Sequence, residues 1–186
     1  MDFAEEHPEE TLILVTGDHE TGGFSIGFAG TDYDTYLTHL SNQKISFKQF
    51  DEQYVTKYTK EKVPFETAML DVEEFFGLKM EGAWKDKLVL TDYEISRLQE
   101  AYNKAVLKEG STRTDQEQDI MYGTYNPFSV TVTHILNNKS GIDFTSYCHT
   151  GLPVGVFADG VGAEAFNGYY DNTEIFYKLA ELLKVK

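Results

Sequence analysis

Residues 11–23 read TLILVTGDHETGG. The first half, Thr11 to Thr16, is short, apolar and rich in β-branched residues, and it predicts a buried strand. The run stops at Gly17 and is followed at once by a carboxylate and an imidazole, Asp18 and His19. In α/β folds ligands collect outside the carboxyl ends of the strands, which is where this pair falls. One carboxylate oxygen and one imidazole nitrogen suit zinc, and a turn can aim both at one ion. The other reading of an isolated Asp-His pair is a capped turn. Gly17, Gly22 and Gly23 weigh against it, because they permit close backbone approach and unusual dihedral angles. Two ligands do not close a zinc site, so further donors must come from distant sequence. Thr16, Glu20 and Thr21 are placed to orient the ligands by hydrogen bonds.

Working outward, Pro8 ends a short helical stretch before the strand, and "FSIGF" after the glycines alternates as a second strand. Near the other end, Val154 to Ala158 predicts another short strand, followed by the glycine-rich "DGVGAEAFNG". Asn172 then opens an amphipathic helix with Ile175, Leu179, Leu182 and Leu183 on one face. The middle is more charged and more helical. Thr91 and Glu94 have capping-box spacing at the head of a helix ending at Gly110. "VPFETAMLDVEEFFGL" predicts a helix with Pro64 near its first turn, and its Phe75-Phe76 pair reads as core packing. "NPFSVTVTHILNN" fits a helix started by Pro127, although its β-branched run leaves a strand open. The stretch from Gly110, "GSTRTDQEQD", reads as a polar loop. The expected organisation is α/β. Residues 1–35 and 138–186 share one sheet flanked by helices, and 36–137 form a mostly helical insertion.

The 31 acidic and 16 basic residues give a formal charge of −15, and the only arginines are Arg97 and Arg113. Such a surface repels phosphate backbones, so nucleic acid is excluded as a partner unless cations intervene. An anionic substrate would need positive charge from metal ions or from outside the chain. No apolar run approaches the roughly 20 residues of a membrane span. Cys148 is the single cysteine, so no intramolecular disulfide can form, and a lone cysteine reads first as a small buried hydrophobe. His39 and His134 read as structural.

A second motif lies far from the first. "CHTGLPVGVFADG" places His149 in a glycine- and proline-punctuated loop just ahead of the later strand. "TGDHETGG", then "HTG" with "VGVFADGVGAEAFNG", then "YDNTEIFYKLAELL" together resemble the alkaline phosphatase family. The likeness is close over residues 2–29 and 140–186 and loose in the helical middle. It implies the C-terminal part of an alkaline-phosphatase-like sheet sandwiched by helices, with a largely helical insertion. It also implies that Asp18 and His19 are ligands of one zinc ion and His149 a ligand of its neighbour. The full-length enzyme of this kind would carry two zinc ions and one magnesium ion, hydrolyse phosphate monoesters through a phosphoserine, and lie in the periplasm or be secreted. A homodimer, or self-association through uncovered apolar surface, is the expected assembly.

The resemblance also implies what these residues do not include. The nucleophilic serine, the phosphate-binding arginine, the magnesium ligands and the remaining zinc ligands of the family precede the Asp-His motif. Ser25, Ser41, Ser129 and Ser146 have no matching context. "MDFAEEHPEE" reads as the end of the helix before the strand, so the chain is expected to be a C-terminal portion with a partial zinc-ligand set and no turnover of its own. Two alternatives stand beside this one: a phosphodiesterase of the same superfamily, and a non-catalytic interaction module whose helical insertion is the binding surface.

Overall fold

The computed structural model describes residues 2–110 and 113–185. Ser111 and Thr112 of the predicted polar loop, together with Met1 and Lys186, lie outside the described residues. The chain forms two compact units. One joins the segment ending at Gly23 to that beginning at Ser146, and the other runs from Phe24 to Thr145.

The first unit is built on an antiparallel ribbon. Helix α1 (Asp2–Glu6) leads to strand β1 (Leu12–Thr16), and the second motif leads to strand β4 (Val156–Gly160). The two strands pair from Leu12 opposite Gly160 to Thr16 opposite Val156. The two ends of the chain therefore meet in a two-stranded sheet, while Phe24–Ile26 and Ile142–Phe144 pair in a sheet of their own. β1 is not buried on both faces, however. Its first three residues are partly buried and the last two are exposed, because its ladder has a single partner strand among the described residues. Beyond β4 come a 3₁₀ turn (Ala163–Phe166) and helix α8 (Glu174–Leu183). The Asp171 carboxylate accepts from the Thr173 N–H at 3.0 Å in the turn that leads into α8. Leu182 packs directly on Gly162, where an added Cβ would lie 2.6 Å from a Leu182 methyl. Among the described residues of this unit, Phe166 is the one large buried hydrophobic side chain.

The second unit carries the hydrophobic core. Strand β2 (Phe24–Ile26) pairs antiparallel with β3 (Ile142–Phe144), Phe24 opposite Phe144. Between them lie α2 (Phe47–Phe50), a π-helical turn (Asp51–Val55), α3 (Thr56–Glu61), α4 (Phe65–Phe76), α5 (Asp92–Tyr102) with a π-helical turn (Asn103–Leu107), α6 (Asp115–Tyr122) and α7 (Pro127–Lys139). The predicted capping box is present at α5, but regular α-helix stops before the π turn and Lys108, not Gly110, takes the left-handed terminal conformation.

The open choice at "NPFSVTVTHILNN" is resolved as helix. Asn126 accepts from the Phe128 N–H at 3.0 Å, and Pro127 fills the first helical position. Thr131 and Thr133 return their hydroxyl protons to the Pro127 and Ser129 carbonyls, at 2.7 and 3.2 Å. With its polar groups satisfied internally, α7 can be buried on most of its circumference, and α2, α4, α5 and α6 pack against it. Around it Phe50, Tyr58, Phe76, Tyr102 and Phe128 interlock, several edge to face, with Phe128 and Tyr102 centroids 5.1 Å apart.

The polar-loop reading is corrected from Asp115 onward, where helix α6 begins. Thr114 and Glu117 form a second capping box, with the Glu117 carboxylate accepting from the Thr114 N–H at 2.7 Å. No helix among the described residues is long and apolar enough to cross a membrane.

Candidate metal centre

The site lies wholly in the first unit, where β1 and β4 bring the two motifs together. Gly22 and Gly23 are buried and have φ of +107° and +68°, a conformation closed to most side chains. The resulting bend folds the loop after β1 back on itself, and the Gly22 carbonyl accepts from the Ser146 N–H at 3.0 Å. That bond joins the loop holding Asp18 and His19 to the loop holding His149.

The imidazoles of His19 and His149 stack, with centroids 3.4 Å apart and planes 23° from parallel. The Asp18 Oδ2 atom lies 3.4 Å from His19 Nε2, while its Oδ1 accepts from the His19 backbone N–H at 3.0 Å. His19 Nδ1 lies 2.7 Å from the Glu20 carbonyl oxygen. A carbonyl can only accept, so Nδ1 carries the proton. In the neutral ring Nε2 then presents a lone pair toward the Asp18 carboxylate.

A cation between these two atoms, whether a metal ion or a proton on Nε2, would be stabilised there. Ligand atoms roughly 2.1 Å from one tetrahedral zinc ion lie about 3.4 Å apart, which matches the Asp18–His19 separation. Nδ1 held on a carbonyl is also the usual way a ligating histidine is oriented. The donor set therefore fits the metal that the family resemblance implies. It is incomplete, since no three His, Cys, Asp or Glu side chains among the described residues converge so as to hold a metal ion.

Sequence reasoning placed Glu20 only among several orienting candidates, with Thr16 and Thr21. The structure separates them. Thr16 donates to the Gly17 carbonyl at 3.1 Å. Glu20 instead bridges the loops: one carboxylate oxygen accepts from the Gly23 N–H, and the other accepts from both the N–H of Thr150, at 3.0 Å, and its hydroxyl. Cys148 is exposed rather than buried, so its reading as a small core residue does not hold. His39 stacks on Tyr36, and Nδ1 lies 3.3 Å from the Lys139 carbonyl oxygen, in the second unit. Of the four serines, Ser41 donates to the Thr38 carbonyl at 2.7 Å and Ser129 to that of Asn126 at 3.3 Å. Ser25 donates to the Asp143 carbonyl at 3.4 Å, and Ser146 accepts from the Cys148 N–H at 2.9 Å. Three of these bonds are local, and the Ser25 bond ties β2 to β3.

A family model described as alkaline phosphatase matches residues 1–185, the helical middle included, and the chain belongs to that family. It is 29% identical to alkaline phosphatase 3 of Bacillus subtilis (strain 168) over 175 residues, which is 94% of this chain and 30% of that protein. Against alkaline phosphatase 4 of the same organism it is 27% identical over 184 residues, 99% of this chain and 32% of the relative. The fold is that of the crystal structure of a cold-active alkaline phosphatase from the psychrophile Shewanella sp. The TM-score is 0.66 at 24% identity, covering 98% of this chain and 36% of that one. The chain thus spans about a third of the length of the relatives it matches.

Proposed function

We propose that these residues are the C-terminal portion of a zinc-dependent alkaline phosphatase that hydrolyses phosphate monoesters through a phosphoserine. The observation that carries this reading is the 3.4 Å pairing of Asp18 Oδ2 with His19 Nε2, with Nδ1 held on a carbonyl. Asp18 and His19 would hold one zinc ion and His149 its neighbour. When bound, such a pair of ions supplies Lewis-acid stabilisation to the attacking and leaving oxygens, and offsets the charge of a phosphate dianion on a chain of charge −15. The Glu20 carbonyl keeps the proton on His19 Nδ1, and the Asp18 side chain is kept in register by its bond to the His19 N–H. The serine, the phosphate-binding arginine, the other zinc ligands and the magnesium site come from outside these 186 residues. A periplasmic or secreted location and a homodimer follow from the same family reading.

The test pairs two measurements on this chain, each beside Asp18→Ala. Hydrolysis of p-nitrophenyl phosphate with added zinc and magnesium should not exceed that of the variant. Zinc competed against a chromophoric chelator should bind weakly, and more weakly still after the substitution. Turnover that disappears with Asp18 would place a nucleophile within the chain. Zinc binding indifferent to Asp18 would sink the ligand assignment.

A further inference from the structure

We infer that Glu20 is a positioning residue that sets the separation of the two zinc-ligating loops by holding Thr150. This rests on the reading of Asp18, His19 and His149 as zinc ligands. Glu20 acts on both imidazoles through different atoms. Its backbone carbonyl, 2.7 Å from His19 Nδ1, fixes the orientation of that ring. Its carboxylate reaches across to Thr150, the residue next to His149, and takes both the Thr150 N–H and the Thr150 hydroxyl on one oxygen. The other oxygen takes the Gly23 N–H, which anchors the carboxylate in its own loop. Three donors converge on one anionic acceptor, the arrangement in which hydrogen bonds are short and strong.

The span is long in sequence and short in space. Glu20 and Thr150 are 130 positions apart, and a backbone bond from the Ser146 N–H to the Gly22 carbonyl also joins the same two loops. That backbone bond lies at the far side of the second loop from Thr150. It fixes where the loop starts but not the direction in which His149 points. The Thr150 hydroxyl also accepts from the Leu152 N–H at 3.4 Å, so the carboxylate holds the loop on both sides of Gly151. The 3.4 Å ring stack is the geometric result.

The substitution that isolates this role is Glu20→Gln. Glutamine has the same length, but it keeps one acceptor oxygen and turns an NH2 group toward donors that already need an acceptor. Thr150→Val removes the hydroxyl at nearly constant shape, and Thr150→Ser restores it. The first readout is the proton NMR spectrum of the metal-free chain, in which stacking shifts the imidazole protons of His19 and His149 upfield. That shift should be lost in Glu20→Gln and Thr150→Val and kept in Thr150→Ser. The second is zinc competition, where loss of an orienting partner should weaken binding by about 10- to 100-fold. Imidazole shifts and zinc affinity unchanged in Glu20→Gln would overturn the inference. Should Glu20→Gln fail to fold, the Thr150 pair decides the question by the same criteria. Wild-type chain with the upfield shifts, lost on cutting the clamp, but with no zinc binding would instead sink the zinc reading and leave the loop clamp standing.

Discussion

His19 and His149 come from opposite ends of the chain, and their rings stack with centroids 3.4 Å apart. The structure thus pairs one side chain from each motif at a single point, and His19 also faces the Asp18 carboxylate. If the two imidazoles serve different ions, their removal should have different effects. We expect His19→Ala to abolish the zinc binding of the Asp18 pair and His149→Ala to leave it nearly intact, as read by calorimetric titration with zinc. Equal losses would mean that both rings share one ion.

In the second unit a largely buried ion pair sits at the head of α5. Lys139 Nζ lies 2.9 Å from Glu94 Oε2, and only 11% and 17% of the two side chains remain exposed. The same carboxylate oxygen accepts from the Thr91 N–H at 2.8 Å, so one side chain serves both a cap and an ion pair. Thr91→Ala should cost about 1 kcal/mol, the worth of a cap. Glu94→Gln should cost on the order of 3 kcal/mol or more, because it leaves the lysine charge nearly buried without its counter-charge. Urea unfolding separates the two, and similar losses would argue that the ion pair adds nothing.

A pH dependence follows from α7. Burial holds the His134 imidazole below its ordinary 6.5, with Asp143 opposing and Arg97 assisting. The unfolded chain therefore binds the proton first, and stability should fall as pH drops from about 6.5 toward the lower folded value. The carboxylate of Glu100, lowered chiefly by its bond to Arg113, acts in the same direction but only under its ordinary 4.5. His134→Gln should flatten the upper window and leave the acid one. Thermal melts at pH 5.5 and 7.5 giving the same slope for variant and wild type would remove His134 as the cause.

The first unit has surface to spare. Val15 and Phe157 face each other across the β1–β4 ladder and are 59% and 71% exposed. An open two-stranded ribbon with an apolar face is prone to pair with other chains. We expect concentration-dependent association in sedimentation velocity, reduced by Phe157→Lys. A monomer at high concentration would count against it.

Local chemistry was readable wherever neighbours in sequence determine it. The Thr91–Glu94 box, the Pro127 start and the strand character of Leu12–Thr16 were visible because each depends on residues within a few positions. α6 was equally readable from Thr114 and Glu117 but was hidden by its polar composition. It buries only Tyr122, so its apolar period is faint. The π-helical turns left no trace that composition could show.

From the sequence alone came the candidate donors, Asp18 and His19 after a strand and His149 in a glycine-punctuated loop, and the family to which the motifs point. The folded arrangement settles α7 as a helix, since burial against α2, α4, α5 and α6 outweighs the β-branched preference for strand. It also singled out Glu20 from Thr16 and Thr21. A carboxylate becomes a clamp only when antiparallel pairing of β1 with β4 brings Thr150 within hydrogen-bonding distance, and no spacing rule spans 130 residues.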